Sequence, residues 1–279
     1  MAITFLKGHG TENDFVLLPD PDGQLDLTDA RVRALCDRRR GLGADGVLRV
    51  VRTRALPDAP ADIDGDIWFM DYRNADGSIA EMCGNGVRVF ARYLHDVGLV
   101  ADTRFPVGSR AGVRPVEVRT DGSVTVDMGP VRLLDPSMVT VAGTSFVGVG
   151  VDVGNPHLAC VLDGIDLAAL DLTGQLAYNP MFFPNGVNVE FIAALGPAEI
   201  TMRVHERGVG ETRSCGTGTV AAVAAYLLHL GKASGESTVH IPGGTVHVTV
   251  DEHTSTLTGP VVFVARGELD TAWWDAQIS

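Results

Sequence analysis

The feature that most constrains what this chain can fold into is an internal duplication. Met70 to Cys83 and Met202 to Cys215 both span 13 positions, and each reads as a strand, a polar loop, then C-G-x-G opening a helix. Upstream, GHGTENDFVLL around Asn13 resembles GVDVGNPHLACVL around Asn155, and GVLRVV around Gly46 resembles NVEFI around Asn188, both at an offset of 142 positions. Four matched features in one order, at a period above 100 residues, imply two similar domains rather than a solenoid. The expected domains are 1–129 plus 260–279, carrying Cys83, and 130–259, carrying Cys215.

Strand signals dominate between these landmarks. They are ITFL, DFVLL, GVLRVV, DIWFMDY, VEVRT with SVTVDMG across Asp121-Gly122, VNVEFI, ITMRVHE, TVHI with TVHVTV across Pro242-Gly243-Gly244, and VVFVARG. Helical patterns cover 28–40, 84–97, a short piece near Leu167, and 216–230. From 220 to 228 no face is polar, so that helix must be covered all round, and a curved sheet wrapped around it is the economical solution. The helix after Cys83 places Arg88, Arg92 and His95 on one stripe and Val87, Phe90, Ala91 and Leu94 on the other. The fold class read from this pattern is α+β: two pseudo-symmetric domains, each a curved, mainly antiparallel sheet wrapped around a central helix.

Composition narrows the function. With 35 acidic against 22 basic side chains the formal charge is -13, which repels a phosphate backbone or an anionic membrane, so neither nucleic acid nor membrane is an expected partner. The apolar run in the last helix is far short of the roughly 20 residues of a bilayer span, and the segment before Lys7 lacks a signal-peptide core, so a cytoplasmic location is expected. The 4 cysteines form no C-x-x-C pair, which argues for reduced thiols and against a structural zinc site. Cys36 and Cys160 sit in apolar patterns and read as small core residues.

Cys83 and Cys215 are different. Each stands directly before a helix whose first turn is glycine-rich, where the helix dipole and unpaired N–H groups lower a thiol pKa from about 8.5 and make it fit to act as a base. The unpaired amides of Gly84, Asn85, Gly216 and Thr217 form two anion sites suited to opposite sides of one carboxylate. A single motif of this kind could merely open a buried helix; two in matched places point to function. Inverting an α-carbon needs one group to remove the proton and another to return it on the opposite face, so a racemase or epimerase follows. Only Lys7 and Lys232 could form a pyridoxal Schiff base, and neither has a supporting motif, so no cofactor and no metal are expected. The carbanion must then be stabilised by amides aimed at the substrate carboxylate.

The runs KGHGTENDFVLL, NADGSIAEMCGNGVRVFARYL, GNPHLACV, GVNVEFI and HERGVGETRSCGTGTVAA together resemble the diaminopimelate epimerase family, from Lys7 to the VVFVARGEL segment. The resemblance implies a cofactor-independent isomerase of amino-acid biosynthesis, interconverting LL- and meso-2,6-diaminopimelate for lysine and peptidoglycan precursors. It implies that Cys83 and Cys215 are the catalytic pair, exchanging roles with direction. Asn13, Asn74, Asn155, Asn188, Glu206 and Arg207 would hold the distal amino acid end, and Gly84, Asn85, Gly216 and Thr217 the reacting carboxylate. His157 and Glu206 resemble residues that tune the thiol pKa values. A homodimer is left open.

Two positions depart from the family pattern. Gly46 stands where glutamine is common, implying a missing or water-filled side-chain contact, and Glu12 replaces a glycine in the loop that carries Asn13. Gly41, Gly43 and Gly46 fit G-x-G-x-x-G but follow a helix and precede a strand, the reverse of a dinucleotide fold. The rival readings are a proline or hydroxyproline racemase-like enzyme, whose substrate has no second amino acid end for Arg207, and a non-catalytic small-molecule-binding or thiol-sensing protein, which needs no paired carboxylate cradle.

Overall fold

The structure is a computed structural model and describes residues 2–277. The chain runs through β1 (Ile3–Gly10), β2 (Asn13–Pro19), α1 (Asp29–Cys36), β3 (Gly46–Arg52), β4 (Trp68–Asn74), α2 (Gly84–Asp96), β5 (Arg104–Ser109), β6 (Gly112–Val118) and β7 (Val124–Gly129). It continues through β8 (Arg132–Val141), β9 (Thr144–Asp152), β10 (Pro156–Val161), β11 (Ala177–Tyr178), β12 (Asn188–Gly196), β13 (Glu199–Glu206) and β14 (Gly210–Thr212). There follow α3 (Gly216–His229), β15 (Gly235–Ile241), β16 (Gly244–Val250), β17 (Ser255–Gly259), β18 (Val262–Leu269) and α4 (Thr271–Asp275). Two compact units result, Met1–Val126 with Pro260–Ser279, and Asp127–Gly259.

In the first unit β18 closes onto β1, antiparallel from Ile3↔Leu269 to His9↔Val262, and β1 pairs with β2 across a tight turn. β2 and β3 run parallel, with Phe15 opposite Gly46, and β3 pairs antiparallel with β4. Val87, Phe90, Ala91 and Leu94 of α2 are fully buried against β1 to β4 and β6. The sequence pattern puts Arg88 on a polar stripe with Arg92 and His95. In the fold only the latter two reach solvent, because the sheet wraps far enough to enclose Arg88 completely.

The second unit repeats the plan. β10 and β12 run parallel, with His157 opposite Asn188, and β12 pairs antiparallel with β13. Every residue of α3 from Val220 to Leu227 is buried, and the helix touches β9, β10, β12, β13, β15, β16 and β17. This agrees with a helix that has no polar face: each apolar side chain needs a sheet strand to take it out of water, at roughly 25 cal/mol per Å² of apolar surface. The α+β class with curved sheets around central helices is thus the observed one.

Local differences have local causes. α1 ends at Cys36 rather than at residue 40, since the Asp37 carboxylate accepts the N–H groups of Arg39 and Arg40 at 2.8 and 2.9 Å and turns the chain. The piece near Leu167 is a single 3-10 turn, Leu167–Ala169, capped by Asp166. Strands β5, β8, β9, β11, β14 and β17 and helix α4 are absent from the sequence reading. Pro106 and Pro136 lie inside β5 and β8, where proline speaks against a strand, and the β8–β9 register shifts between Leu133 and Pro136 to accommodate it.

Candidate active site

Each of the two helices opens on a cysteine. Cys83 is the N-cap of α2 and its Sγ accepts the Gly86 N–H at 3.4 Å. Cys215 is the N-cap of α3 and accepts the Gly218 N–H at the same 3.4 Å. Sulfur takes the place of the usual capping oxygen, so each thiol faces the positive end of its helix, with Gly84 and Asn85, or Gly216 and Thr217, forming the first turn.

The described groups around Cys83 include neutral amides and a buried cation. Asn13 Oδ1 lies 3.5 Å from Cys83 Sγ and accepts from Asn85 Nδ2 at 3.3 Å, while Asn13 Nδ2 donates to Asp45 at 2.8 Å, which fixes the amide's orientation. Behind it Arg38 bridges Asp14, at 2.7 and 3.1 Å, and Asp45, at 2.8 Å, and Lys7 donates to Asp14 at 2.6 Å. Burial would raise the Asp14 pKa, but Arg38 and Lys7 outweigh it and hold the carboxyl far below its ordinary range. Arg88 donates to Asn85 Oδ1 at 2.5 Å, Thr11 Oγ1 at 3.1 Å and the Pro260 carbonyl at 3.0 Å. Asn74 ends β4 opposite Gly46 and donates to Ser78 Oγ at 3.0 Å.

The two departures have a structural reading. A Cβ on Gly46 would lie 2.5 Å from the Arg73 carbonyl and 2.6 Å from the Tyr72 ring, so protein atoms and not a water-filled gap occupy the place of a side chain. Glu12 takes φ 62° directly after Thr11 at φ 51°, the two left-handed residues of a tight hairpin turn, where glycine is the unstrained choice. The Glu12 N–H is stabilised there by His9 Nδ1 at 3.2 Å.

Around Cys215 the groups are acidic. His157 and Glu190 are completely buried and paired, Nδ1 to Oε1 at 2.7 Å, and His157 Nε2 meets Asn155 Oδ1 at 3.0 Å. Glu206 acts electrostatically on Cys215 and accepts from the Thr212 hydroxyl. Burial, then Glu206 and Glu190, push the Cys215 thiol well above its ordinary pKa against the Thr217 hydroxyl and Gly218 amide. The expectation that the helix end lowers both thiols is therefore corrected for Cys215, where desolvation and two carboxylates win over the dipole. Burial raises Glu190 and Glu206 as well. Asn188 Oδ1 accepts the Arg207 N–H at 2.9 Å, and the Arg207 guanidinium donates to the Asn185 carbonyl at 2.9 Å. Asn188 thus anchors the backbone of the residue expected to bind a carboxylate.

Residues 5–134 and 149–264 match the family model described as Diaminopimelate epimerase. The chain belongs to the diaminopimelate epimerase family. It is 59% identical over 284 residues to the "Diaminopimelate epimerase" of Rhodococcus jostii (strain RHA1), covering 97% of this chain and 98% of that one. The protein of the same description from Rhodococcus opacus (strain B4) is 60% identical with the same coverage. Among solved structures, a hydroxyproline epimerase from Agrobacterium vitis superposes with a TM-score of 0.64 over 98% of this chain and 94% of that chain; at 16% identity it shares the fold.

Two residues central to this geometry are missing from the sequence reading of the family site. Glu190 carried a signal, a carboxylate inside the otherwise apolar strand NVEFI, and Arg88 carried another, an arginine on a helix with a mostly apolar face. Neither neighbourhood is visible without the fold.

Proposed function

We propose that this protein is a cofactor-independent epimerase that interconverts LL- and meso-2,6-diaminopimelate by proton transfer between two cysteines and one α-carbon. The observation that carries the reading is the matched pair of cysteine N-caps, each with a glycine-rich first turn, in a chain of this family. In one direction the Cys83 thiolate removes the α-proton while the Cys215 thiol supplies a proton to the opposite face; in the other the roles reverse. The amides of Gly84, Asn85, Gly216 and Thr217 take the reacting carboxylate, whose charge grows as the α-carbon becomes planar and electron-rich. Arg207, with Asn13, Asn74, Asn155, Asn188 and Glu206, holds the distal ammonium and carboxylate, which call for amide and carboxylate acceptors and a planar guanidinium. The two units act as the two epimerase domains, working in the cytoplasm, with a homodimer as the assembly to test. Among the described residues no helix is long and apolar enough to cross a membrane.

The test is deuterium incorporation from heavy water into LL-diaminopimelate. The wild type should wash deuterium into the product, and Cys83→Ala and Cys215→Ala should each lose at least about 100-fold in kcat. Near-wild-type epimerisation by either variant rules out the two-thiol mechanism.

A further inference from the structure

Among the matched positions at which the duplication is broken, three bear on the electrostatics of the two units. Phe15 and His157 occupy the same place, each opposite the first residue of the next parallel strand, Gly46 or Asn188. Two residues further on stand Leu48 and Glu190. A Cβ on Gly86 would meet Leu48 Cδ2 at 3.4 Å, and a Cβ on Gly218, its counterpart, would meet Glu190 Oε1 at 2.7 Å. Five residues beyond each capping cysteine stand Arg88 and Val220. The first unit therefore carries phenylalanine, leucine and a buried arginine where the second carries histidine, a buried glutamate and valine.

Both charges are built in at a cost. Arg88 and Glu190 are completely buried, and each keeps a polar atom, Arg88 Nε and Glu190 Oε2, with no hydrogen-bond partner among the described residues. The hydrogen-bond acceptors of Arg88 are all neutral oxygens. Leaving such groups unpaired is unfavourable, which is why a charge retained there points to a role.

We propose that Arg88, and Glu190 with its His157 partner, are positioning residues that make Cys83 the thiolate and Cys215 the thiol of the resting protein. The inference rests on the two-cysteine reading above. Among the groups around Cys83 are the Arg88 guanidinium from α2, which interacts with it electrostatically, and Asn13 from the β1–β2 hairpin with the Asp45–Arg38 pair behind it, while Leu48 and Met70 from β3 and β4 pack at Gly86 in the same helix turn. Asn13 Oδ1 favours the thiol form; the guanidinium and the Gly86 amide favour the thiolate. Facing Cys215 are Glu206 from β13 and Glu190 from β12, with His157 from β10 paired to Glu190 and Thr217 at the helix start. Burial brings Arg88 down only to about 10, so it stays charged at neutral pH, and the Cys83 charge favours that state. The same attraction acts in reverse on the thiol.

The experiment follows the ultraviolet absorbance of thiolate against pH in Cys215→Ser, which reports Cys83, and in Cys83→Ser, which reports Cys215. Cys36 and Cys160 are held silent by burial, which pushes both up to about 12. Cys83 should ionise at the lower pH. Arg88→Met should raise its midpoint by about one to three units, Arg88→Lys should restore most of the shift, and Glu190→Gln should lower the Cys215 midpoint while leaving Cys83 in place. A Cys215 that ionises first, or a folded Arg88→Met protein with an unmoved Cys83 midpoint, overturns the proposal. If Arg88→Met does not fold, Arg88→Lys and Glu190→Gln still decide through the order of the two midpoints. Failure of the two-cysteine reading is separate: it shows as retained epimerisation in Cys83→Ala or Cys215→Ala, whatever the midpoints are.

Discussion

Arg207 illustrates how much a single side chain here depends on its neighbours. Its backbone is held by Asn188 and its guanidinium by the Asn185 carbonyl, which orients the planar group that the proposed function assigns to the distal carboxylate. Arg207→Lys keeps the charge and loses the bidentate geometry, and kcat/KM for LL-diaminopimelate should fall by at least about tenfold, with the loss mostly in KM. Unchanged kcat/KM in steady-state assays removes Arg207 from substrate recognition. Asp14 makes a stability prediction with a definite sign. Its folded pKa lies below the unfolded one, so the stabilisation is present above about pH 4 and is lost as pH falls through the folded value. Asp14→Asn should cost about 2 kcal/mol at neutral pH and flatten the acid limb of stability, measured as Tm between about pH 2 and pH 5. An acid limb as steep as in the wild type would show that the Lys7–Asp14–Arg38 network is not its source.

Helices α2 and α3 begin alike but have different tolerances. At Gly86 a methyl group would find ordinary contacts, nearest at 3.4 Å, whereas at Gly218 it would meet the Glu190 carboxylate at 2.7 Å and Cys215 Sγ at 3.3 Å. Gly86→Ala should therefore preserve the fold and gain up to about 1 kcal/mol from helix propensity. Gly218→Ala should lose at least about 1 kcal/mol in urea unfolding, because Glu190 is locked by its 2.7 Å contact with His157. Equal effects at the two sites would mean the starts of the helices are not differentiated in the way the contacts indicate.

At the level of the whole molecule, the chain path sets which part can fold alone. Asp127–Gly259 is continuous and contains the sheet that covers α3. Residues 1–126 lack β18, which pairs with β1 along seven residues of register and otherwise leaves β1 as an open edge. Expressed separately, 127–259 should give a cooperative thermal transition by circular dichroism, and 1–126 should aggregate unless β18 is joined back to it. A well-folded, monomeric 1–126 would show that β18 contributes little to the first unit.

The sequence by itself carried the duplication, the all-apolar α3, the cysteine N-caps and the family, because each is written in local order: a repeat of spacing, a missing polar face, a residue type next to glycine. It assigned Asn13 to the distal end of the substrate only through family resemblance, and its place 3.5 Å from Cys83 Sγ, held by Asp45, became visible in the fold alone. Strands β5 and β8 escaped because their sheet pairing overrode proline's local preference. What only the tertiary structure decided is the electrostatics. Arg88 reads as a solvent-facing residue until the sheet encloses it, and Glu190 as an ordinary strand residue until His157, 33 positions away, meets it at 2.7 Å in the core. The Cys215 thiol is raised for the same reason: burial and two carboxylates from separate strands act through space, and no sequence window contains all three.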